Sequence, residues 1–382
     1  MPAAKVIKGQ YIVSLKPTVK AKAHVESAAA TIVKETNAKA GMSATAANAN
    51  TIKHVYEGHA FNGYAGKFDA EALARIRNHP DVAFVEPDQI ATTFTTQPNA
   101  PWGLARTSSR SRVGAGASYS YDPNGGAGVK VFVIDTGIYV GHSDFGGRAT
   151  WGANFAGDGQ NSDGNGHGSH VSGTIGGSTY GIAKKAQLVA VKVLGSDGSG
   201  SFSGIIGGIN WATQQHSSGN GGAKGSVINM SLGGSYSDSL NQATTAAVNA
   251  GIYVALAGGN SNQDACGFSP ASAEGGFTLA ASDINDTIAS FSNWGQCCDS
   301  FAPGVNILSV STSCSTCSRT MSGTSMSSPH AAGLMAYYAS LSSSRMSPAQ
   351  MIQTIKSAAT KNVIGGNING SPNQILYNNY SG

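Results

Sequence analysis

Charge is scarce in this chain of 382 residues: only 12% are Asp, Glu, Lys or Arg, against 40% hydrophobic. The net charge of +4 and a pI near 8.7 are only mildly basic. With no Lys or Arg cluster and no basic strip interleaved with aromatics, a nucleic-acid partner is not expected. No apolar run reaches membrane-spanning length. Met1 to Lys8 carries two lysines and no apolar stretch that could act as a secretory signal, so nothing in this sequence is expected to direct export. Cysteine is also sparse, at Cys266, Cys297, Cys298, Cys314 and Cys317. One CxxC spacing without a second pair excludes a cysteine zinc site. The odd count leaves one thiol over if two bridges form. Cys314 and Cys317 suit a small local bridge, and Cys266 suits either Cys297 or Cys298. Internal repeats and low-complexity tracts are missing, apart from the Ala-rich stretch from Ala38 to Ala49.

Glycine, by contrast, is abundant and unevenly placed. Residues 1–92 hold 11 Lys plus Arg and 8 Asp plus Glu but only 5 of the 51 Gly. The shift in composition predicts two domains, 1–92 and 93–382, the second large enough to bury one sizeable core. The first reads as strand Gln10 to Leu15, helix Ala21 to Asn37, strand Thr51 to Tyr56, strand Ala60 to Gly66, helix Asp69 to Asn78 and strand Val82 to Glu86, a ferredoxin-like α+β order. Between the domains, Ile90 to Asn99 is polar, Thr-rich and Pro-bearing, as an exposed linker would be.

Three Gly-flanked segments of the second domain each present one polar side chain. Val129 to Ile134 reads as a strand buried on both faces and places Asp135 at its carboxyl end, where open parallel α/β sheets form their crevices. His167 lies between two glycines after a Ser162-Asp163-Gly164-Asn165-Gly166 loop. Ser325, in Gly323-Thr324-Ser325-Met326, opens an Ala-, Leu- and Met-rich helix whose Pro329 is expected near its first turn, where a missing amide is tolerated. A serine hydroxyl needs an imidazole to take its proton, and the imidazole needs a buried carboxylate to fix its tautomer. Each residue also has an ordinary reading: Asp135 as a turn residue or cap, Ser325 as a helix N-cap. His170 and His330 read as buried structural histidines. A fourth segment, the strand Ile252 to Ala257 followed by Gly258-Gly259-Asn260, offers Asn260 either as an oxyanion donor or as a turn asparagine.

Taken together, Val133 to Gly137, Asn165 to Val171 and Ser322 to His330 resemble the signature segments of the subtilisin-like serine peptidases. Asn99 to Arg106, Tyr180 to Leu188 and Phe291 to Gly295 are similar to the proteinase K branch. The resemblance runs from about residue 95 to the end. It implies an α/β, three-layer fold with a mainly parallel sheet, and a broad-specificity serine endopeptidase acting through Asp135 as the orienting acid, His167 as the base, Ser325 as the nucleophile and Asn260 as the oxyanion donor. It also implies that Gly198, Ser199 and Gly200 pair with extended substrate, and that Phe202, Ser231, Leu232, Gly233 and Gly259 line its pockets. Asp299, with carbonyls near Glu274 and Gly276, matches a structural calcium site. A second calcium position is expected to be lost to Arg110, and Val171 stands where the branch usually has a cysteine. No catalytic cofactor is implied.

The first domain is similar to the subtilase propeptide and inhibitor domain, through Gln10 to Val13 and His79 to Asp88. It is therefore expected to assist folding, to block the cleft as a product-like strand, and to be removed by self-cleavage within Ala91 to Thr96. The family resemblance implies an extracellular monomer with polypeptide substrates. An esterase is disfavoured because Gly323 to Ser327 lacks the second Gly of a G-x-S-x-G elbow. A non-catalytic binding protein with its inhibitor docked is the other alternative, separable by reactivity at Ser325.

Overall fold

The computed structural model describes residues 6–43, 48–58, 60–89 and 95–380. Two compact units divide the chain, Met1–Thr93 and Phe94–Gly382.

In the first unit, strands Thr51–Glu57, Asn62–Lys67, Val6–Leu15 and Val82–Gln89 lie in that order in one antiparallel sheet. A helix over 21–39, interrupted by one π-turn at Val25–Ala29, and a second over Ala70–Arg77 complete the expected β-α-β-β-α-β order. Asp69 starts the second helix by accepting the Ala72 amide, the usual work of an aspartate N-cap. Val13, Leu15, Ile32, Tyr64, Phe68, Leu73 and Ile76 close the core between sheet and helices. The last strand runs on past Glu86 through Pro87, which is tolerated because this strand is the sheet's edge.

The second unit is built on a nine-stranded sheet in the order Thr360–Lys361, Gln374–Ile375, Ser300–Pro303, Phe277–Ser282, Tyr253–Ala257, Gly225–Met230, Val129–Asp135, Gln187–Lys192, Ala149–Asn154. All neighbours are parallel except the first pair. Alternation along Val129–Asp135 explains the three layers. Val129, Val131 and Val133 pack with residues of helices His167–Gly176 and Thr324–Leu341 on one face. Phe132 and Ile134 pack with residues of helices Phe202–Gln215 and Asp238–Asn249 on the other. Coverage on both sides makes five of the six residues Val129 to Ile134 apolar; the exception, Lys130, is only partly buried and carries its ammonium to the Asn220 carbonyl. Among the described residues no helix is long and apolar enough to cross a membrane.

Two local expectations, for the linker and for Pro329, need correction, and the cysteine pairing left open in the sequence is resolved as one of its two alternatives. The segment read as linker is structured at its end, where Thr95–Gln97 pairs with Tyr119–Tyr121; residues 90–94, most of the expected cleavage region, lie outside the described residues. Cys266 pairs with Cys297, leaving Cys298 as a buried free thiol, while Cys314 and Cys317 form the local bridge. Pro329 lies inside its helix, past the positions where a missing amide is tolerated, because the helix already begins at Thr324.

Candidate active site

Asp135 ends its strand with no solvent exposure. Its Oδ1 stands 2.7 Å from Nδ1 of His167 and also accepts the Thr136 amide at 2.7 Å. Gly168 permits this approach, since a Cβ there would stand 2.2 Å from the Gly137 carbonyl and 3.2 Å from the Asp135 Cβ. Gly166, the N-cap of the same helix, has φ +90°, a conformation that costs other residues strain. Burial pulls the His167 imidazole down, but the charge and hydrogen bond of Asp135, with Asp163 behind them, outweigh burial and the opposing Arg319, and the net direction is above the ordinary 6.5.

Ser325 is the second residue of its helix. Gly323 is the N-cap, and no side chain caps that end, so the Ser325 hydroxyl is not occupied in capping. It donates instead to the Ser231 carbonyl at 3.1 Å, while the Ser231 hydroxyl donates to the Ser325 carbonyl at 2.8 Å. Pro329 explains the second bond. In a regular helix the Ser325 carbonyl would receive the amide four residues on, and proline has none. Ser231 supplies the missing donor and fastens one wall of the cleft to the helix that carries Ser325.

Asn260 follows the strand Tyr253–Ala257. Its Oδ1 accepts the Thr324 amide at 2.8 Å and the Thr324 hydroxyl at 2.9 Å. A backbone N–H can only donate, so the amide's oxygen faces Thr324 and its NH2 group is directed away from it.

His167, Ser325 and Asn260 line one cleft of about 700 Å³. Gly198, Ser199, Gly200, Phe202, Ser231, Leu232, Gly233 and Gly259 line it as well. His170 and His330 take the structural roles expected, with ring nitrogens bonded to the carbonyls of Ile307 and Met326 at 2.9 and 2.8 Å. Burial depresses both rings to about 4.

Three residues that hold the site in place escaped the sequence reading. Thr324 orients Asn260. Asp163 accepts five bonds, from the Thr136 hydroxyl, the Asn165 and Gly166 amides, and both the amide and hydroxyl of Ser169, and so fixes the loop entering the His167 helix. Lys192, 1% exposed, spans the Thr136 and Leu194 carbonyls at 3.0 and 2.7 Å and pairs with Asp158. Thr324 and Asp163 lie inside motifs already singled out, and polar residues beside functional ones were the available signal. Nothing local distinguishes Lys192.

Glu274, Gly276 and Asp299 do not line the cleft, and their oxygens are a poor fit to calcium. Asp299 Oδ1 is 2.6 Å from the Lys356 ammonium, and its Oδ2 accepts the Thr278 amide at 2.9 Å. The Glu274 carbonyl accepts the Thr245 hydroxyl at 3.0 Å. A calcium ion requires six to eight oxygens with free lone pairs, and here an ammonium already stands against the carboxylate. Arg110, expected to stand in place of a second calcium, is itself held by other partners. It bonds the Ala358 carbonyl at 2.6 Å and lies over the Tyr377 ring.

Comparison with known proteins places this geometry in context. The model of the Subtilase family matches residues 126–374, and that of peptidase inhibitor I9 matches residues 10–94. A cuticle-degrading serine protease of Arthrobotrys oligospora is 49% identical over 327 residues, covering 84% of this chain and 78% of that one. The subtilase-type proteinase psp3 of Schizosaccharomyces pombe is 47% identical over 334 residues, covering 86% and 74%. The crystal structure of a cold-adapted subtilisin-like serine proteinase superposes with a TM-score of 0.69 at 42% identity, covering 74% of this chain and all of the other.

Proposed function

This chain belongs to the subtilase family of serine proteases, with an inhibitor I9 domain at residues 10–94, and we propose that Asp135, His167, Ser325 and Asn260 perform its peptide-bond cleavage. The observation that carries the reading is the 2.7 Å contact of His167 Nδ1 with the buried Asp135 carboxylate, on a histidine that shares a cleft with Ser325. Asp135 holds the proton on Nδ1, leaving Nε2 to accept the Ser325 proton once the hydroxyl turns from the Ser231 carbonyl. The alkoxide attacks the peptide carbonyl, and the oxyanion takes hydrogen bonds from the Asn260 NH2 and the Ser325 amide. His167 then returns the proton to the leaving amine, and water hydrolyses the acyl-enzyme by the same path.

Gly198 to Gly200 offer backbone for pairing with an extended polypeptide, which gives affinity with little dependence on side chains and hence broad specificity. The small residues Ser231, Gly233 and Gly259 leave room for an apolar or aromatic side chain before the scissile bond. The protein is read as a zymogen with a propeptide over 1–92 and a catalytic domain over 93–382, self-processed between residues 91 and 96. The propeptide acts as folding aid and inhibitor, and the mature enzyme as a monomer. Two disulfides favour an oxidising, extracellular setting.

The test is chemical. A phosphonofluoridate should label Ser325, and the wild-type chain should release peptides from denatured casein. Ser325→Ala should remain one uncut species of 38.7 kDa; normal maturation of that variant without added protease would refute self-processing, and labelling elsewhere would refute the nucleophile.

A further inference from the structure

We propose that His24, His79 and Asp81 of the first unit form a binding site for a zinc-class divalent ion. His24 ends the first segment of the long helix, whereas His79 and Asp81 flank Pro80 in the turn between Ala70–Arg77 and Val82–Gln89. Asp81 Oδ2 is 3.1 Å from His24 Nδ1 and 3.8 Å from His79 Nδ1, and the three ligand atoms lie within 4.8 Å of one another. Tetrahedral zinc with bonds of about 2.0–2.1 Å sets its ligands about 3.3 Å apart, so this triangle needs only small rotations to close on an ion. The two imidazoles meet edge to face, 83° apart with centroids at 4.7 Å, so both can turn a nitrogen toward one centre.

The Asp81 amide donates to His79 Nδ1 at 3.3 Å, so that nitrogen carries no proton, and an ion would take over the lone pair that this long bond now uses. The turn is fixed by backbone bonds from Val82 to His79 and from Lys16 to the Asp81 carbonyl. Two imidazole nitrogens and one carboxylate oxygen suit zinc and neighbouring transition ions, not calcium or magnesium, which take oxygen shells.

His24 supplies an independent observation. Its side chain is 1% exposed, and its Nε2 is buried with no hydrogen-bond partner. An apolar residue would fill that position in the core without leaving a polar atom unpaired. The other ring nitrogen, Nδ1, is the one turned to the Asp81 carboxylate, so this buried side chain presents its ligating edge to the cluster. On the opposite side, His79 and Asp81 are 26% and 42% exposed, so an ion can enter from solvent and keep water as its fourth ligand.

An ion here would tie the start of the long helix to the turn before the last strand, and by binding only the folded unit it would stabilise it. If that unit is the propeptide proposed above, zinc prolongs latency; the binding itself does not depend on that reading.

The experiment uses the full-length Ser325→Ala chain, stripped of metal and titrated with zinc chloride by calorimetry, then with cobalt(II) chloride to read ligand-field absorption. One saturable zinc site is expected, with affinity lowered more than about tenfold by His79→Ala and by Asp81→Asn. Both positions are partly exposed, and circular dichroism confirms that the variants fold. His167→Ala should leave the titration unchanged, which separates this site from the cleft. Absence of saturable binding, equal affinity in the His79 and Asp81 variants, or loss of binding with His167→Ala would each overturn the proposal.

Discussion

Asn260 receives two hydrogen bonds from Thr324, the residue before the proposed nucleophile, at 2.8 Å from the amide and 2.9 Å from the hydroxyl. The proposed oxyanion donor and the proposed nucleophile are thus set by one short stretch of chain. Asn260→Ala should lower kcat by about 10²–10³ with little change in KM, the magnitude known for an oxyanion-hole amide in subtilisin. Thr324→Val retains the backbone bond and loses the hydroxyl, so its kcat should fall by less than that of Asn260→Ala, again at near-constant KM. Steady-state kinetics on a short peptide amide would check both. A Thr324→Val enzyme with wild-type kcat would show that the backbone bond alone orients the amide.

The acidic limb of the rate profile should belong to His167. Catalysis needs the neutral ring, so kcat/KM should fall as pH drops through a midpoint above the ordinary imidazole value of 6.5, the direction set by Asp135 and Asp163 against burial and Arg319. The two outer charges give opposite tests. Asp163→Asn removes a charge that favours the imidazolium and should move the midpoint down. Arg319→Gln removes one that opposes it and should move the midpoint up. Shifts of the same sign in both variants would contradict the electrostatic account.

How much of this was legible in the sequence follows from how local each cause is. The strand ends, Asp135, His167, Asn260 and Ser325 stand out because each lies within two residues of a glycine, which close backbone approach favours, and glycine leaves a mark on the sequence. The fold of the first unit was equally visible, through the order and spacing of its strands and helices. The residues that steady the site were not. Thr324 acts on Asn260 from 64 positions away, and Lys356 meets Asp299 across 57, distances over which no pattern announces a contact. The donation from Ser231 was hidden for a similar reason: it answers the missing amide of Pro329, whose place inside the helix depends on where that helix begins.

Acid should destabilise the second unit over a defined window. His170 and His330 are held near 4 by burial, whereas the same rings in the unfolded chain titrate near 6.5. As pH falls from 6.5 to 4 the unfolded state takes up both protons and the native state does not, so stability is present above 6.5 and is lost across that range. Each histidine contributes a slope of about 1.4 kcal/mol per pH unit. His167, shifted the other way, contributes stability below 6.5 that is lost as pH rises through its higher folded value, and so adds no slope inside the window. Urea titrations of the Ser325→Ala protein at several pH values should show this decline. A His330→Leu variant should show roughly half of it, and a stability that is flat from neutral pH to pH 4 would remove the explanation.

The Lys356–Asp299 pair predicts how the second unit responds to calcium. The ammonium sits 2.6 Å from Oδ1, while Oδ2 and the Asp299 carbonyl already accept from Thr278 and Gln374. Calcium would have to displace a cation that the chain carries on its own helix, so millimolar calcium should leave the Tm of the Ser325→Ala protein unchanged. Lys356→Ala should lower stability by no more than about 1 kcal/mol, because the pair is partly solvated. It should also create a calcium response that the parent lacks, since the carboxylate then faces an open position. A parent protein whose Tm rises by several degrees with calcium, and a variant that responds no more than the parent, would mean that the lysine yields to the ion and that Asp299 is a ligand after all.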